Sequence, residues 1–236
     1  MFRVKICGVT TPDDADSCVE AGADAIGLNF YPPSPRYVPR DVARAVARRI
    51  PPTVTKVGVF VNATPEEVRK TCDDVGLDAV QLHGDESPQM VSQLAERRLI
   101  KAFRCARPDP EQVTQYLLAC AALAGRLEAV LIDACRSGSY GGTGQVAEWS
   151  FVRVLRALPI SVPVILAGGL RPENVAAAIE ATRPAAVDTA SGVESSPGRK
   201  DPARVRAFVR RAREAFEFVA SQDRSQIPTP PASGQN

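Results

Sequence analysis

Apolar residues of strand character recur along the chain in eight short runs: Val4–Ile6, Ala25–Leu28, Val57–Phe60, Ala79–Leu82, Ile100–Phe103, Ala129–Ile132, Val164–Leu166 and Ala186–Val187. The segments between them carry helix-entry signals, a capping residue before proline at the first helical position with acids following in the first turn. Thr11-Pro12-Asp13-Asp14, Thr64-Pro65-Glu66-Glu67 and Asp201-Pro202 are the clearest. Gly22 and Gly76 follow helical patterns and precede new strands, where a left-handed residue ends a helix. Regular alternation of strand and helix predicts parallel strands with right-handed crossovers. Eight such units in about 220 residues suit a closed α/β barrel, a (β/α)8 TIM barrel of eight parallel strands. An open doubly wound sheet is the alternative.

The last helix, Pro202 to Val219, sets Val205, Phe208, Val209, Ala212 and Phe216 on one stripe, with its arginines largely outside it, as on a solvated outer barrel helix. Residues 1–220 are thus expected to form one barrel. Residues 221–236 are polar and proline-containing, with too little apolar surface to offset ordering entropy, and are expected to be a disordered tail.

Charge and composition narrow the function. Lys plus Arg number 29 against 27 Asp plus Glu, a formal net charge of +2 that sets up no field for nucleic acid or an anionic membrane. No signal-peptide run or membrane-length apolar stretch is visible, so a cytoplasmic protein is expected. Six cysteines are scattered without a C-x-x-C pair, and His83 is the sole histidine, which argues against zinc or a redox couple. Neither metal nor cofactor is expected. Without an exposed apolar stripe, a monomer is expected over a homodimer.

In a barrel the active site lies at the carboxyl ends of the strands. At the end of the first strand a period of two puts Lys5 and Cys7 on one face and Val4 and Ile6 on the other. With Val4 and Ile6 against the helices, Lys5 and Cys7 point inward, and an adjacent ammonium is expected to lower the thiol pKa toward that of a general base. A buried structural cysteine is the other reading. Asp133 closes the sixth strand at the same rim, as a helix cap or as a general acid. Together the two would suit proton transfer between adjacent carbons.

Gly141-Gly142-Thr143-Gly144, Ala167-Gly168-Gly169-Leu170 and Ala190-Ser191-Gly192 follow the last three strands. They read together as a phosphate site, because glycine lets backbone N–H groups approach phosphate oxygens and barrels use the loops after strands 7 and 8 for this. Gly142–Ala147 formally matches a dinucleotide fingerprint but lacks the strand before it and the acid after it, and is rejected as one. Arg36 stands in the proline-stiffened loop Tyr31–Tyr37, either as a surface residue or as a planar fork for a carboxylate. Gln81 and His83 share a face, and Asp188 and Ser191 are candidate polar walls. Asp85-Glu86 reads as the start of the fourth helix.

The strings KICG (Lys5–Gly8), GLNFYPPSPRYV (Gly27–Val38), VGVFVN (Val57–Asn62), VQLHGDE (Val80–Glu86), GGTG (Gly141–Gly144), AGGLRPENV (Ala167–Val175) and VDTASGVESSPGRKD (Val187–Asp201) together resemble the phosphoribosylanthranilate isomerases, cofactor-free barrels of tryptophan biosynthesis. The resemblance implies an Amadori rearrangement of N-(5-phosphoribosyl)anthranilate to 1-(2-carboxyphenylamino)-1-deoxyribulose 5-phosphate. It places the general base on Cys7 and the general acid on Asp133, with Arg36 meeting the anthranilate carboxylate. Gln81, His83 and Asp188 would contact the small-molecule phosphoribosyl substrate. Gly142, Thr143, Gly144, Gly168, Gly169, Ser191 and Gly192 would hold phosphate. The family often has two serines in the last loop, where this chain has Ala190-Ser191, which removes one hydroxyl contact. Two other readings are a phosphosugar-binding protein without turnover and a histidine-pathway aminoaldose isomerase, whose signature would be aspartate at the position of Cys7.

Overall fold

The computed structural model describes residues 1–104, 110–133 and 162–225. Eight parallel strands, β1 (Val4–Cys7), β2 (Ala25–Asn29), β3 (Thr55–Phe60), β4 (Ala79–Leu82), β5 (Leu99–Arg104), β6 (Ala129–Asp133), β7 (Val164–Ala167) and β8 (Ala186–Thr189), pair in chain order. The ring closes where β8 hydrogen-bonds to β1, Lys5 opposite Asp188, which excludes the open sheet. Each expected apolar run forms a strand, most of them a residue or two longer than the run itself.

Helices α1 (Pro12–Glu20), α2 (Arg40–Ala47), α3 (Pro65–Val75), α4 (Pro88–Gln93), α5 (Pro110–Ala122), α6 (Val175–Thr182) and α7 (Pro202–Ser225) surround the described part of the ring. Their starts follow the local chemistry. Thr11 accepts a hydrogen bond from the Asp14 amide, and Thr64 and Glu67 form a reciprocal capping box. Asp201 accepts from the amides of Ala203 and Arg204. Gly76 ends α3 at φ 75°, a left-handed conformation that costs glycine little.

Two apolar layers result from the alternation of side chains along each strand. Val4, Ile6, Ile26, Leu28, Val80, Leu82, Val130 and Ile132 pack outward against the helices. Ala25, Val57, Ala79, Ile100, Ala129, Leu131, Ile165 and Ala186 fill the interior. Each fully buried Leu or Ile contributes about 1.5–3 kcal/mol relative to exposure. This interior parity decides the site: one step further along the same inward face come Gly27, Gln81, Asp133 and Asp188, as do Lys5 and Cys7 on β1.

Two expectations about the elements require correction. Asp85-Glu86 does not begin a helix; α4 starts at Pro88 after Ser87, and Glu86 is buried in an ion pair with Lys101 at 2.7 Å. The final helix continues to Ser225, its end tied to Arg183, which donates to Gln222 Oε1 at 3.1 Å and pairs with Asp223, so the expected tail boundary at 221 falls inside the helix. After β8 the chain makes a 3-10 turn (Ser191–Val193) and a small antiparallel hairpin, β9 (Glu194–Ser196) and β10 (Arg199–Lys200), that strand periodicity did not reveal. Residues 226–236 of the expected tail lie outside the described residues. Among the described residues no helix is long and apolar enough to cross a membrane.

Candidate active site

Lys5 is wholly buried, and its ammonium donates to Asp188 Oδ1 at 2.9 Å across the closure of the ring. Cys7, one inward step further, is paired in register with Gly27 of β2. A methyl group at Gly27 would stand 2.8 Å from Cys7 Sγ and 3.1 Å from Lys5 Nζ, so the missing side chain is the space that the thiol and ammonium occupy.

The lysine does not depress the thiol pKa as expected. Burial pushes Cys7 up, Lys5 pulls it down, and the Asp188 carboxylate pushes it up again, leaving it above its ordinary value. Burial is the largest cause, and the Asp188 carboxylate that pairs with Lys5, 183 residues away in sequence, adds to it. Burial likewise pushes the Asp188 carboxyl up, against the pull of Lys5.

On β4, Gln81 is fully buried and its Nε2 lies 2.8 Å from His83 Nδ1. This contact fixes the plane of the imidazole and turns its Nε2 away from Gln81. That nitrogen is 3.7 Å from Asp133 Oδ2, long for a hydrogen bond but within electrostatic reach. His83 is held from below: Lys101 donates to the Gly84 carbonyl at 2.7 Å and to Glu86, whose carboxylate accepts from the amides of Asn62 and Gly84. Glu86 and Lys101 had no signal in strand periodicity, because Lys101 takes the outward parity of β5 and Glu86 lies in the loop after β4.

Arg36 does not present a free fork. Its Nε and Nη2 donate to Glu194 Oε1 and Oε2 at 2.8 and 2.7 Å, and its stem lies over Gly8, where a Cβ would come within 2.4 Å of Arg36 Cδ. At β7, Gly168 and Gly169 adopt φ 91° and 65°. Ser191 is exposed at the start of the 3-10 turn, and a Cβ on Gly192 would meet the Leu170 carbonyl oxygen at 1.9 Å. The loops after β7 and β8 thus touch backbone to backbone, further joined by Thr189 Oγ1 donating to Leu170 O at 2.7 Å. Gly142, Thr143 and Gly144 lie outside the described residues.

Cys7, Gln81, His83, Asp133, Asp188 and the loops of Gly168, Gly169, Ser191 and Gly192 are therefore gathered at one end of the barrel, with Cys7 and Asp133 three strands apart around the ring. Among the described residues no cluster of His, Cys, Asp or Glu could hold a metal ion.

Residues 4–211 match the family model for N-(5'phosphoribosyl)anthranilate (PRA) isomerase. The chain belongs to the PRA isomerase family. A PRA isomerase of Myxococcus xanthus is 50% identical over 211 residues, covering 89% of this chain and 96% of its own. The crystal structure of the Thermotoga maritima PRA isomerase superposes with a TM-score of 0.79 at 40% identity, covering 91% of this chain and all of that one. A second PRA isomerase structure, a complex with reduced 1-(o-carboxyphenylamino)-1-deoxyribulose 5-phosphate, gives a TM-score of 0.76 at 38% identity, with 91% and 100% coverage. In this PRA isomerase, sequence reasoning missed Gly27, Glu86, Lys101, Glu194 and Lys200. Only Gly27 left a local signal, a glycine on the inward parity of an otherwise apolar strand.

Proposed function

We propose that Cys7 and Asp133 are the base and acid of the isomerisation. The enzyme converts N-(5'-phosphoribosyl)anthranilate to 1-(2-carboxyphenylamino)-1-deoxyribulose 5-phosphate in tryptophan biosynthesis. In this reading Asp133 protonates the furanose ring oxygen as the C1–O bond breaks, giving an open-chain Schiff base. Cys7 takes the proton from C2, and the electron pair moves into an enolamine. Tautomerisation moves a proton to C1 and leaves the C2 ketone, so the reaction is balanced with no external redox partner.

The observation that carries this assignment is the shared inward parity of Cys7 and Asp133 at strand ends beside the glycine loops. Lys5 stabilises the thiolate electrostatically as it forms, while Asp188 keeps the buried ammonium in place. His83, oriented by Gln81, faces Asp133 and the ring-oxygen end of the substrate. Gly142, Thr143, Gly144, Gly168, Gly169, Ser191 and Gly192 receive phosphate, and Arg36 meets the anthranilate carboxylate from its seat on Glu194. We further propose that residues 1–220 hold the catalytic barrel and that the chain acts as a monomer.

Loss of substrate fluorescence, with PRA generated in situ, tests the assignment. Rapid turnover by the wild-type chain and losses of at least about 100-fold in Cys7→Ala and Asp133→Asn are expected, within the usual range for general acid–base groups. Turnover by either variant within a few-fold of wild type would remove that residue from the chemistry.

A further inference from the structure

The hairpin after β8 carries two buried charges that the reaction scheme does not use. Lys200, on β10, has a wholly buried side chain. Its ammonium donates to the Cys7 carbonyl at 2.6 Å, to the Ala190 carbonyl at 3.3 Å and to Glu194 Oε1 at 2.9 Å. Glu194, also buried, is the carboxylate that takes both Arg36 nitrogens. Burial pushes the Glu194 carboxyl up, but Arg36 and Lys200 outweigh it and hold it below the usual range, so the group is ionised at neutral pH.

The rest of the hairpin is seated on the same loops. Thr10 Oγ1 donates to the Gly198 carbonyl at 2.6 Å, and a Cβ on Gly198 would lie 2.9 Å from Pro35 O in the Arg36 loop. One short hairpin therefore touches the loop after β1, the loop after β2 and the loop after β8. An ion pair serving stability alone has no need of a link to the general base on one side and the carboxylate-binding arginine on the other. A buried lysine donating to a main-chain carbonyl fixes that peptide, and a bidentate carboxylate fixes the plane of a guanidinium.

We infer that Glu194 and Lys200 are positioning residues: their buried pair ties the peptide of the general base Cys7 to the guanidinium of Arg36, setting the distance between the base and the substrate's aryl carboxylate. The inference rests on the roles given above to Cys7 and Arg36. Uncoupling the pair loosens Arg36 on the side of Glu194 and the Cys7 peptide on the side of Lys200. The phosphate end is not held by the Glu194–Arg36 fork and should be unaffected when that fork is lost.

The test compares full-length wild type with Glu194→Gln, Lys200→Met, the neutral double variant Glu194→Gln/Lys200→Met, and Arg36→Met. Each is assayed for kcat and KM on PRA. Each is also titrated with the reduced product analogue, which keeps the aryl carboxylate, and with ribulose 5-phosphate, which lacks it. Glu194→Gln is expected to weaken the carboxylate-bearing analogue about tenfold and leave ribulose 5-phosphate within twofold. Lys200→Met is expected to lower kcat at least tenfold. The double variant removes both members of the buried pair and leaves only the partly exposed Arg36 without its carboxylate, so it should melt closer to wild type than Glu194→Gln does, yet retain the loss in kcat and in analogue affinity.

A double variant with wild-type kinetics would overturn the inference, since the pair would then serve folding only. Equal weakening of both ligands by Glu194→Gln would overturn it as well. Failure of the underlying reading is visible separately: Arg36→Met would then bind the analogue as wild type does, or wild type itself would not turn over PRA.

Discussion

Substituting Gly27 by alanine tests how tightly the fold constrains the base. The added methyl would lie 2.8 Å from Cys7 Sγ, 3.1 Å from Cys7 Cα and 3.1 Å from Lys5 Nζ. Ordinary non-bonded contact begins at about 3.5 Å, so the thiol must retreat by roughly 0.7 Å. Its room to do so is small, because the Cys7 peptide is anchored by Lys200 and the neighbouring ammonium by Asp188. Misplacing a reacting group by about 1 Å costs on the order of 100-fold in rate, so a loss of a few tens-fold in kcat is expected. Overpacking of this kind costs about 1–3 kcal/mol, and a chain of this size loses roughly 2–4 °C in melting temperature per kcal/mol. The protein should therefore remain folded at 25 °C. KM for PRA should change little, since the nearest neighbours of the new methyl are Cys7 and Lys5 rather than the phosphate loops or Arg36. The assay is steady-state fluorescence decay alongside a thermal melt. A folded Gly27→Ala protein with undiminished kcat would refute the reasoning, because the thiol position would then not limit the rate.

Gly192→Ala places a methyl 1.9 Å from the Leu170 carbonyl, a backbone clash that must spread the loops after β7 and β8. At least a tenfold rise in KM is expected, with matching loss of ribulose 5-phosphate affinity; unchanged KM would dissociate these loops from phosphate. Lys101→Met leaves Glu86 charged and unpaired in a buried site, which costs about 3–5 kcal/mol. Urea unfolding reads this directly, and a loss under about 1 kcal/mol would mean that water reaches Glu86. Acid stability follows from the same carboxylate. Burial pushes Glu86 up, but Lys101 and the backbone amides of Asn62 and of Glu86 itself hold it below its ordinary value. The unfolded chain thus binds this proton more readily. Its contribution is fully present above the unfolded glutamate value of about 4.3 and is lost as pH falls through the lower folded value. The wild-type urea midpoint should fall more steeply than that of Glu86→Gln below about pH 4.3; parallel curves would contradict the shift.

Much of the barrel was legible because strand periodicity is local. The eight apolar runs, the inward parity of Lys5 and Cys7, and the caps at Thr11, Thr64 and Asp201 each depend on residues within a turn or two of one another. Asp133 could be placed at a strand end on the same grounds. Asp85-Glu86 was misread for a related reason: acids before a proline look like a helix start, and only the Lys101 side chain from the next strand shows that Glu86 is a buried anchor.

What the sequence by itself determined, then, is the set of strands, the face each side chain takes and the residues at the rim. The tertiary structure decided their electrostatics and their coupling. Lys5 meets Asp188 because the register of β8 on β1 closes the ring, across a sequence separation of 183. Arg36 meets Glu194 across 158 residues, and Lys200 reaches the Cys7 carbonyl across 193. A lysine two residues from a cysteine is a fact of sequence, but its pull on the thiol depends on burial and on which carboxylate shares its charge. Both are set only when the barrel closes.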